Sequence, residues 1–393
     1  MDATDPSASL PAPLRGTHSG AFTRRTITTR WPRIAGRVIA ENDFPDAINA
    51  RIQALRDALP DGSIRQLHDD EAPDAALWAG YVAPHLGKTW LEATGYFRPG
   101  AGRQSDPFAE QKDRGLARTG DRIEALARRR SRARDEGEES RSVLARLLRS
   151  ALWGNQADLS MWTAAEEGPD HQDAEQAEEH LLVDDTPAAL AQLEGWDRPA
   201  RIDMLADNAG FELVSDLVLV DGLLTAEAVG QVTVHLKGHP TFVSDATIDD
   251  VHDTLEALTD AKAASVRALA GRLRTALASG RLRLRNGWVW TSPLRARELP
   301  AHVRAEIARA DLLITKGDAN YRRLLGDRQW DFTTPFAEAI APLPVPVLAL
   351  RTHKSEVAAG LSPDQVDRLN AEDPDWAVNG EWGVMQFAPA DAS

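Results

Sequence analysis

Four short segments of this chain carry carboxylates, an amide and cations in combinations that suit phosphoryl chemistry. They are Asp207-Asn208-Ala209-Gly210, Phe242-Val243-Ser244-Asp245, Lys316-Gly317-Asp318-Ala319-Asn320-Tyr321-Arg322 and Arg351-Thr352-His353-Lys354. The carboxylates of Asp207 and Asp245 and the carbonyl of Asn208 are hard oxygen donors. Such a trio suits one divalent ion, Mg²⁺, Mn²⁺ or similar, that keeps positions open for water and substrate. Lys316, Arg322, Arg351 and Lys354 add positive charge. A metal with Lys and Arg is what a phosphoryl group needs, since charge grows on its equatorial and leaving oxygens. Plainer readings stand beside these. Asp207-Asn208 and Asp245 also suit helix N-caps, Gly317-Asp318 a turn, and Arg351–Lys354 a solvated strand end.

The elements that must position these residues follow from the apolar pattern after Arg198. Strand-like runs at Ile202–Ala206, Val229–Leu236, Leu282–Trp290, Leu312–Thr315 and Val345–Leu350 alternate with helix-like stretches. The helical patterns cover Phe211–Leu224, Ile248–Leu258, Ala261–Ser279, Val303–Arg309 and Asn320–Leu325. This alternation predicts a mostly parallel sheet with helices on both faces, a three-layer α/β/α domain. In such sheets ligands bind beyond the C-terminal strand ends, and all four polar segments follow strands. The helix starting near Ala209 could also present its N-terminal N–H groups to an anion.

Upstream, Phe44–Leu59 and Leu116–Leu152 have apolar residues at helical spacing, which predicts a helical N-terminal domain. The five arginines of Arg128–Arg134 read as a solvated helix face rather than a nucleic-acid patch, because Asp135–Glu139 follow at once. Residues 164–186 are acidic and poor in apolar side chains, as expected of a mobile connection; His171 and His180 there read as loop residues rather than metal ligands. The expected organisation is a disordered tail over 1–20, a mostly helical domain over 21–195 and the α/β/α domain over 196–393.

Composition narrows the class. The chain has 393 residues, no cysteine and a formal net charge of −15. Disulfides, zinc–thiolate sites and cysteine nucleophiles are excluded, and the charge argues against general affinity for nucleic acid or anionic membrane. The first twenty residues show no apolar signal core, and Leu217–Leu224 is far too short to span a bilayer. The expectation is a soluble, cytoplasmic protein with no nucleic-acid, membrane or obligate protein partner.

The string Asp207-Asn208-Ala209-Gly210-Phe211-Glu212, with Asp216-Leu217 after it, resembles the signature of the metal-dependent damage-control phosphatases. The matching subgroup is the one once described as acidic-residue carboxyl methyltransferases. Further matches keep the same order: Arg30-Trp31-Pro32, Asp106-Pro107-Phe108 with Gln111-Lys112, Leu152-Trp153-Gly154-Asn155 with Asp158-Leu159-Ser160, Phe242–Asp245, and Trp290-Thr291-Ser292-Pro293. Lys316–Arg322 with Gly326-Asp327 and Trp330 follows, and Arg351-Thr352-His353-Lys354 is similar to the subgroup's Arg-Thr-x-Lys motif. The resemblance covers about residues 20–362. It implies one divalent cation, Mn²⁺, Co²⁺, Ni²⁺ or Mg²⁺, held by Asp207, Asn208 and Asp245. It implies hydrolysis of small phosphorylated metabolites, sugar phosphates such as fructose 1-phosphate or fructose 6-phosphate. Substrate contacts carry over to Glu212, Asp318, Asn320, Tyr321, Arg322, Arg351 and Lys354, with Arg30 closing from the N-terminal part. Ala319, smaller than the residue usual there, and the Gly-rich Gly95–Arg103 depart from the pattern and put the pocket wall in doubt.

The mechanism this implies is in-line attack on a metal-bound phosphate, with Asp318 or Asp245 orienting or deprotonating the water. One alternative is an S-adenosylmethionine-dependent protein carboxyl (glutamate) O-methyltransferase, in which Glu212 and Asp245 touch the cofactor. Against it, the chain has no G-x-G-x-x-G loop after a strand. A second is a non-catalytic sugar-phosphate-binding module.

Overall fold

The structure is a computed structural model that describes residues 10–14, 24, 26–59, 91–154 and 178–390. Among the described residues, five α-helices precede the sheet: α1 (Trp31–Glu41), α2 (Asp46–Ala58), α3 (Ala109–Ala117), α4 (Gly120–Asp135) and α5 (Ser140–Trp153). Then follow β1 (Leu181–Asp184), α6 (Thr186–Glu194), β2 (Ala200–Leu205), α7 (Phe211–Thr225), β3 (Val229–Lys237), α8 (Ile248–Thr259), α9 (Ala264–Ala278) and β4 (Leu282–Gly287). The chain ends with α10 (Ala301–Ile307), β5 (Leu312–Lys316), α11 (Gly317–Leu325), β6 (Val347–Thr352), α12 (Pro363–Glu372) and β7 (Gly383–Ala388).

The strands form one sheet in the order β1-β7-β6-β5-β2-β3-β4. All neighbours are parallel except β6 and β7. The chain leaves β2 towards β3 and β4, then returns to lie on the other side of β2 as β5. The order therefore reverses between β2 and β5, which marks the region outside their carboxyl ends as the place for the ligand crevice of such a sheet. Helix α7, after β2, packs into the core on one face of the sheet; α11, after β5, packs into the core on the other.

Helix α7 shows how composition meets burial. Every residue from Glu212 to Leu224 is buried, because the helix lies against β3 and beneath α4, α5 and α9. A helix enclosed on all sides is mostly apolar round its circumference, and the buried acids of this one, Glu212, Asp216 and Asp221, each face a buried cation. Gly222 is needed for this contact, since a Cβ there would lie 2.3 Å from the Leu147 methyl of α5. A third cluster, around Trp31, Val38, Phe44, Ile48, Ile52 and Phe108, packs against Val243 in the loop after β3. The helical N-terminal part thus sits against the carboxyl edge of the sheet.

Several expectations change. The strand expected over Leu282–Trp290 stops at Gly287, and Trp288–Thr291 forms a helical turn that buries Val289 and Trp290. The helical stretch Leu116–Leu152 is broken twice, at Arg118-Thr119 between the end of α3 and α4 and at Glu136–Glu139 between α4 and α5, where Gly137 adopts a left-handed conformation (φ 64°). Residues 10–14 of the expected tail are ordered: Pro13 bridges to Arg328, and Leu14 N–H donates to Asp327 O at 2.7 Å. Of the acidic connection, residues 164–177 lie outside the described residues, but Leu181–Asp184 forms β1 beside β7. The sheet therefore begins before residue 196. Arg130 does not join its neighbours on the solvated face of α4; it is buried and pairs with Asp221 of α7 at 2.9 Å. His180 stacks on Trp382 with ring centroids 4.5 Å apart, and His171 lies outside the described residues.

Candidate active site

The segment after β2 is held flat against the segment after β3. Asn208 and Asp245 form an isolated antiparallel bridge. Ala209 N–H donates to Ser244 O at 2.7 Å, and Ala246 N–H donates to Asp207 O at 2.8 Å. These bonds bring Asp207, Asn208 and Asp245 together, and the capping readings fall away. Helix α7 starts from Gly210 with no side-chain cap, and α8 is capped by Thr247 in a reciprocal box with Asp250.

The two carboxylates of the trio are buried and electrostatically tense. Asp207 and Asp245 are 6% and 2% exposed. Burial pushes the Asp207 carboxyl well above the usual carboxylate range, and the nearby charges of Glu212 and Asp245 push it further, against Lys237 and Lys354. Burial also raises Asp245, against the opposing charge of Lys237, whose Nζ lies 3.1 Å from Asp245 Oδ2. Asn208 Nδ2 donates to Asp207 Oδ2 at 2.9 Å and to Glu212 Oε2 at 2.8 Å, while Ser244 Oγ donates to Asn208 Oδ1 at 2.6 Å.

Gly317, the first residue of α11, closes the other side. Its φ is +81°, and a Cβ there would meet Asp207 Oδ2 at 1.9 Å. Only glycine combines that conformation with that approach. Gly317→Ala is therefore expected to drive Asp207 out of place and to lower phosphate release at least a hundredfold, since ångström-scale misplacement costs about that much. Wild-type turnover in this variant would show that Asp207 tolerates displacement.

The next residue, Asp318, is held by the end of β6 and the loop after it. Its Oδ1 accepts from Arg351 Nε at 2.9 Å, Ser355 Oγ at 2.9 Å and Lys354 N–H at 3.3 Å. Burial would raise its carboxyl, but Arg351 and Arg322 outweigh burial and hold it below the usual range. Lys354 is half-buried and lies close enough to act on the Asp207 charge.

The structure redirects several residues expected to touch substrate. Lys316 is fully enclosed, with Nζ 3.0 Å from Glu212 Oε1 and 2.9 Å from Asp216 Oδ1. It neutralises the floor of the site rather than facing the crevice. Burial pushes the Asp216 carboxyl up to about 7 despite that lysine. Arg351 is 0% exposed; besides Asp318 it binds the Val357 and Ser355 carbonyls and lies 4.2 Å from the centre of the Tyr321 ring. Tyr321 donates its hydroxyl to Gln386 Oε1 at 2.8 Å, and Asn320 Nδ2 donates to Ala206 O at 3.2 Å and Lys316 O at 2.9 Å. Both side chains are turned inward, so their part is to position α11. Glu212 is likewise buried between Asn208 and Lys316. Arg322 pairs with Asp327 at 2.6 and 3.0 Å. Arg30 is exposed at the end of the π-helical turn Thr26–Arg30, ahead of α1. Asn155, Asp158, Leu159 and Ser160 lie outside the described residues. Lys237 and Ser355 were not singled out by the sequence, and Ser244 only as part of the Phe242–Asp245 segment, although Lys237 does end a strand like the other polar residues.

A divalent ion fits the donor set. Burial raises both carboxyls, and Asp245 raises Asp207 further, even with Lys237 Nζ 3.1 Å from Asp245 Oδ2; hard oxygens under that tension are relieved by a cation.

A family model for the damage-control phosphatase ARMT1-like domain matches residues 26–369. Damage-control phosphatase ARMT1 of Rattus norvegicus is 33% identical over 299 residues, covering 72% of this chain and 68% of that protein. The Mus musculus protein of the same name is 29% identical over 435 residues, covering 97% and 99%. A DUF89 family protein from Pyrococcus horikoshii aligns at a TM-score of 0.49 and 15% identity, covering 93% of this chain and 96% of that one. From the family match and the rat relative, this chain belongs to the damage-control phosphatase ARMT1-like family.

Proposed function

We propose that this chain is a metal-dependent phosphomonoester hydrolase acting on small phosphorylated metabolites, sugar phosphates such as fructose 1-phosphate or fructose 6-phosphate. The observation that carries the reading is the pair of buried, mutually repelling carboxylates, Asp207 and Asp245, at the β2–β5 crevice beside Lys354 and Asp318. Asp207, Asn208 and Asp245 would hold one divalent ion, Mn²⁺, Co²⁺, Ni²⁺ or Mg²⁺. When bound, such an ion polarises a phosphoryl oxygen and neutralises the charge that develops on it.

The chain's own residues do the rest. Lys354 brings a cation to the phosphoryl group. Asp318, kept ionised by Arg351 and fixed by Ser355, is an acceptor suited to orienting water or a sugar hydroxyl and a poor proton acceptor. As ligands, Asp207 and Asp245 would be held ionised by the ion's own charge, so their burial-raised proton affinity belongs to the metal-free site. Lys316 with Glu212 and Asp216, and Arg351 with Tyr321, hold the walls in place.

The test is phosphate release by chelator-stripped protein from a panel of sugar phosphates, with Mn²⁺, Co²⁺, Ni²⁺ or Mg²⁺ restored singly. Turnover that appears only with a divalent ion is expected. No release from any ester with any ion, or calorimetric binding of S-adenosylmethionine instead, sinks the reading.

A further inference from the structure

Lys112 stands in α3, in the helical N-terminal part, and its ammonium group is buried. The side chain is 4% exposed, and Nζ lies 2.8 Å from Asp106 Oδ2 and 2.8 Å from Asp250 Oδ2. Asp106 also fixes the start of its own turn, accepting from Phe108 N–H at 2.8 Å. Asp250 belongs to α8, and its same Oδ2 accepts from Thr247 N–H and Thr247 Oγ, each at 2.7 Å. Thr247 is two residues beyond Asp245. Between them Ala246 is bonded on both sides, its N–H to Asp207 O at 2.8 Å and its carbonyl to Lys237 N–H at 3.0 Å. One continuous polar chain therefore runs from the N-terminal helices, through the cap of α8, to the segment that carries Asp245.

That segment needs holding. Phe242 and Val243 have φ of +45° and +81°, a region disfavoured for bulky and β-branched side chains. Val243 is kept there by the apolar cluster of Trp31, Phe44, Ile48 and Phe108. Glue alone would not call for a buried lysine with two carboxylates, because apolar residues of similar volume generally stabilise a contact at least as well. What a buried charged triad adds is one permitted register between the parts it joins. The Lys112 charge also reaches Asp245, where it opposes the effect of burial.

We propose that Lys112 is a positioning residue for the candidate metal centre, and that it couples docking of the N-terminal helices to the hold on a divalent ion at Asp245 by clamping Asp250 and Thr247. The coupling rests on the metal-site reading above; the clamp itself does not.

The test uses the full chain with Lys112→Met, Lys112→Arg and Asp106→Asn. Two quantities are read: Mn²⁺ affinity by calorimetry, and hydrogen exchange at the amides of Asp245–Thr247. The Met variant is expected to bind Mn²⁺ about tenfold more weakly, in the usual range for coupled sites. Exchange at Asp245–Thr247 should quicken while β2 and β5 keep their protection, and Arg should restore most of both. Asp106→Asn, which keeps the Lys112–Asp250 pair, should move both readouts the same way by less, and it carries the test if the Met variant does not fold. Wild-type exchange at Asp245–Thr247 in the variants overturns the clamp. Faster exchange with unchanged Mn²⁺ affinity overturns the coupling. A wild-type chain that binds no Mn²⁺ overturns the metal-site reading, and the exchange result then decides the clamp alone.

Discussion

Asp207→Asn is expected to lower phosphate release by about a thousandfold or more, roughly 4 kcal/mol of transition-state stabilisation, while making the metal-free protein harder to unfold. Asp245→Asn should lose as much activity without the gain in stability. Both variants replace an anionic metal donor with a neutral amide, so both weaken the hold on the ion and the charge relief that phosphoryl transfer needs. Their stabilities part because their neighbours differ. The Asp207 carboxyl is raised by burial and by Glu212 and Asp245, so removing its charge removes repulsion, a change on the order of 1 kcal/mol. Asp245 is the ion-pair partner of Lys237, and an amide there leaves a buried ammonium without its counter-charge. A carboxyl whose folded pKa is raised binds its proton more tightly folded than unfolded. In chelator, the stability it contributes is therefore full below about pH 4, the ordinary carboxylate value, and is lost as pH rises through the raised folded value. Urea unfolding in chelator at pH 5 and pH 8 should show wild type losing more stability than Asp207→Asn over that interval. Mn²⁺ at a hundred times its dissociation constant should restore about 2.7 kcal/mol to wild type at pH 8 and much less to either variant. Full activity in both variants would sink the metal-site assignment.

Arg351→Met should cost about 3–5 kcal/mol of stability, the range for breaking a buried ion pair from one side. The guanidinium is wholly enclosed. It holds Asp318 through Nε at 2.9 Å and Nη2 at 2.8 Å, and it satisfies the carbonyls of Ser355 and Val357. The variant leaves a carboxylate and two carbonyls without that donor, beside a tyrosine ring that has lost its cation. Lysine should not rescue it, because a single ammonium cannot reproduce a planar fork serving several acceptors. Activity should fall with stability, since Asp318 and the Lys354 backbone are fixed through the same contacts. Pairing Arg351→Met with Asp318→Asn should cost less than the sum of the two, as expected for residues in one network. Urea unfolding of the two single variants and the double variant checks this. Additive losses would show that Arg351 and Asp318 do not act as a unit.

The apolar pattern after Arg198 was sufficient for the strands β2, β3, β5 and β6 and the helices between them, because β-branched runs and helical spacing are local properties of the chain. It also showed which polar residues stand at the strand ends. β7 and the four-residue β1 were not legible. β1 lies beside an acidic tract and contributes only Leu181–Asp184, and its place depends on a neighbour 202 positions away in sequence, Gly383 opposite Leu181. Nor was the break of β4 at Gly287, where burial of Val289 and Trp290 prevails over strand propensity.

By itself, then, the sequence determined an α/β/α domain behind a helical N-terminal part, and a rim supplied with hard oxygens and cations. The tertiary structure alone decided which of these face one another. The return of β5 to the side of β2 set Gly317 against Asp207. The Asn208–Asp245 bridge closed the trio, and counter-charges within about 3 Å turned Lys316 and Arg351 inward while Lys354 stayed beside the crevice. Element type follows from spacing along the chain, whereas the task of a charged side chain follows from the partner that folding brings to it, and that partner here is usually tens of residues distant.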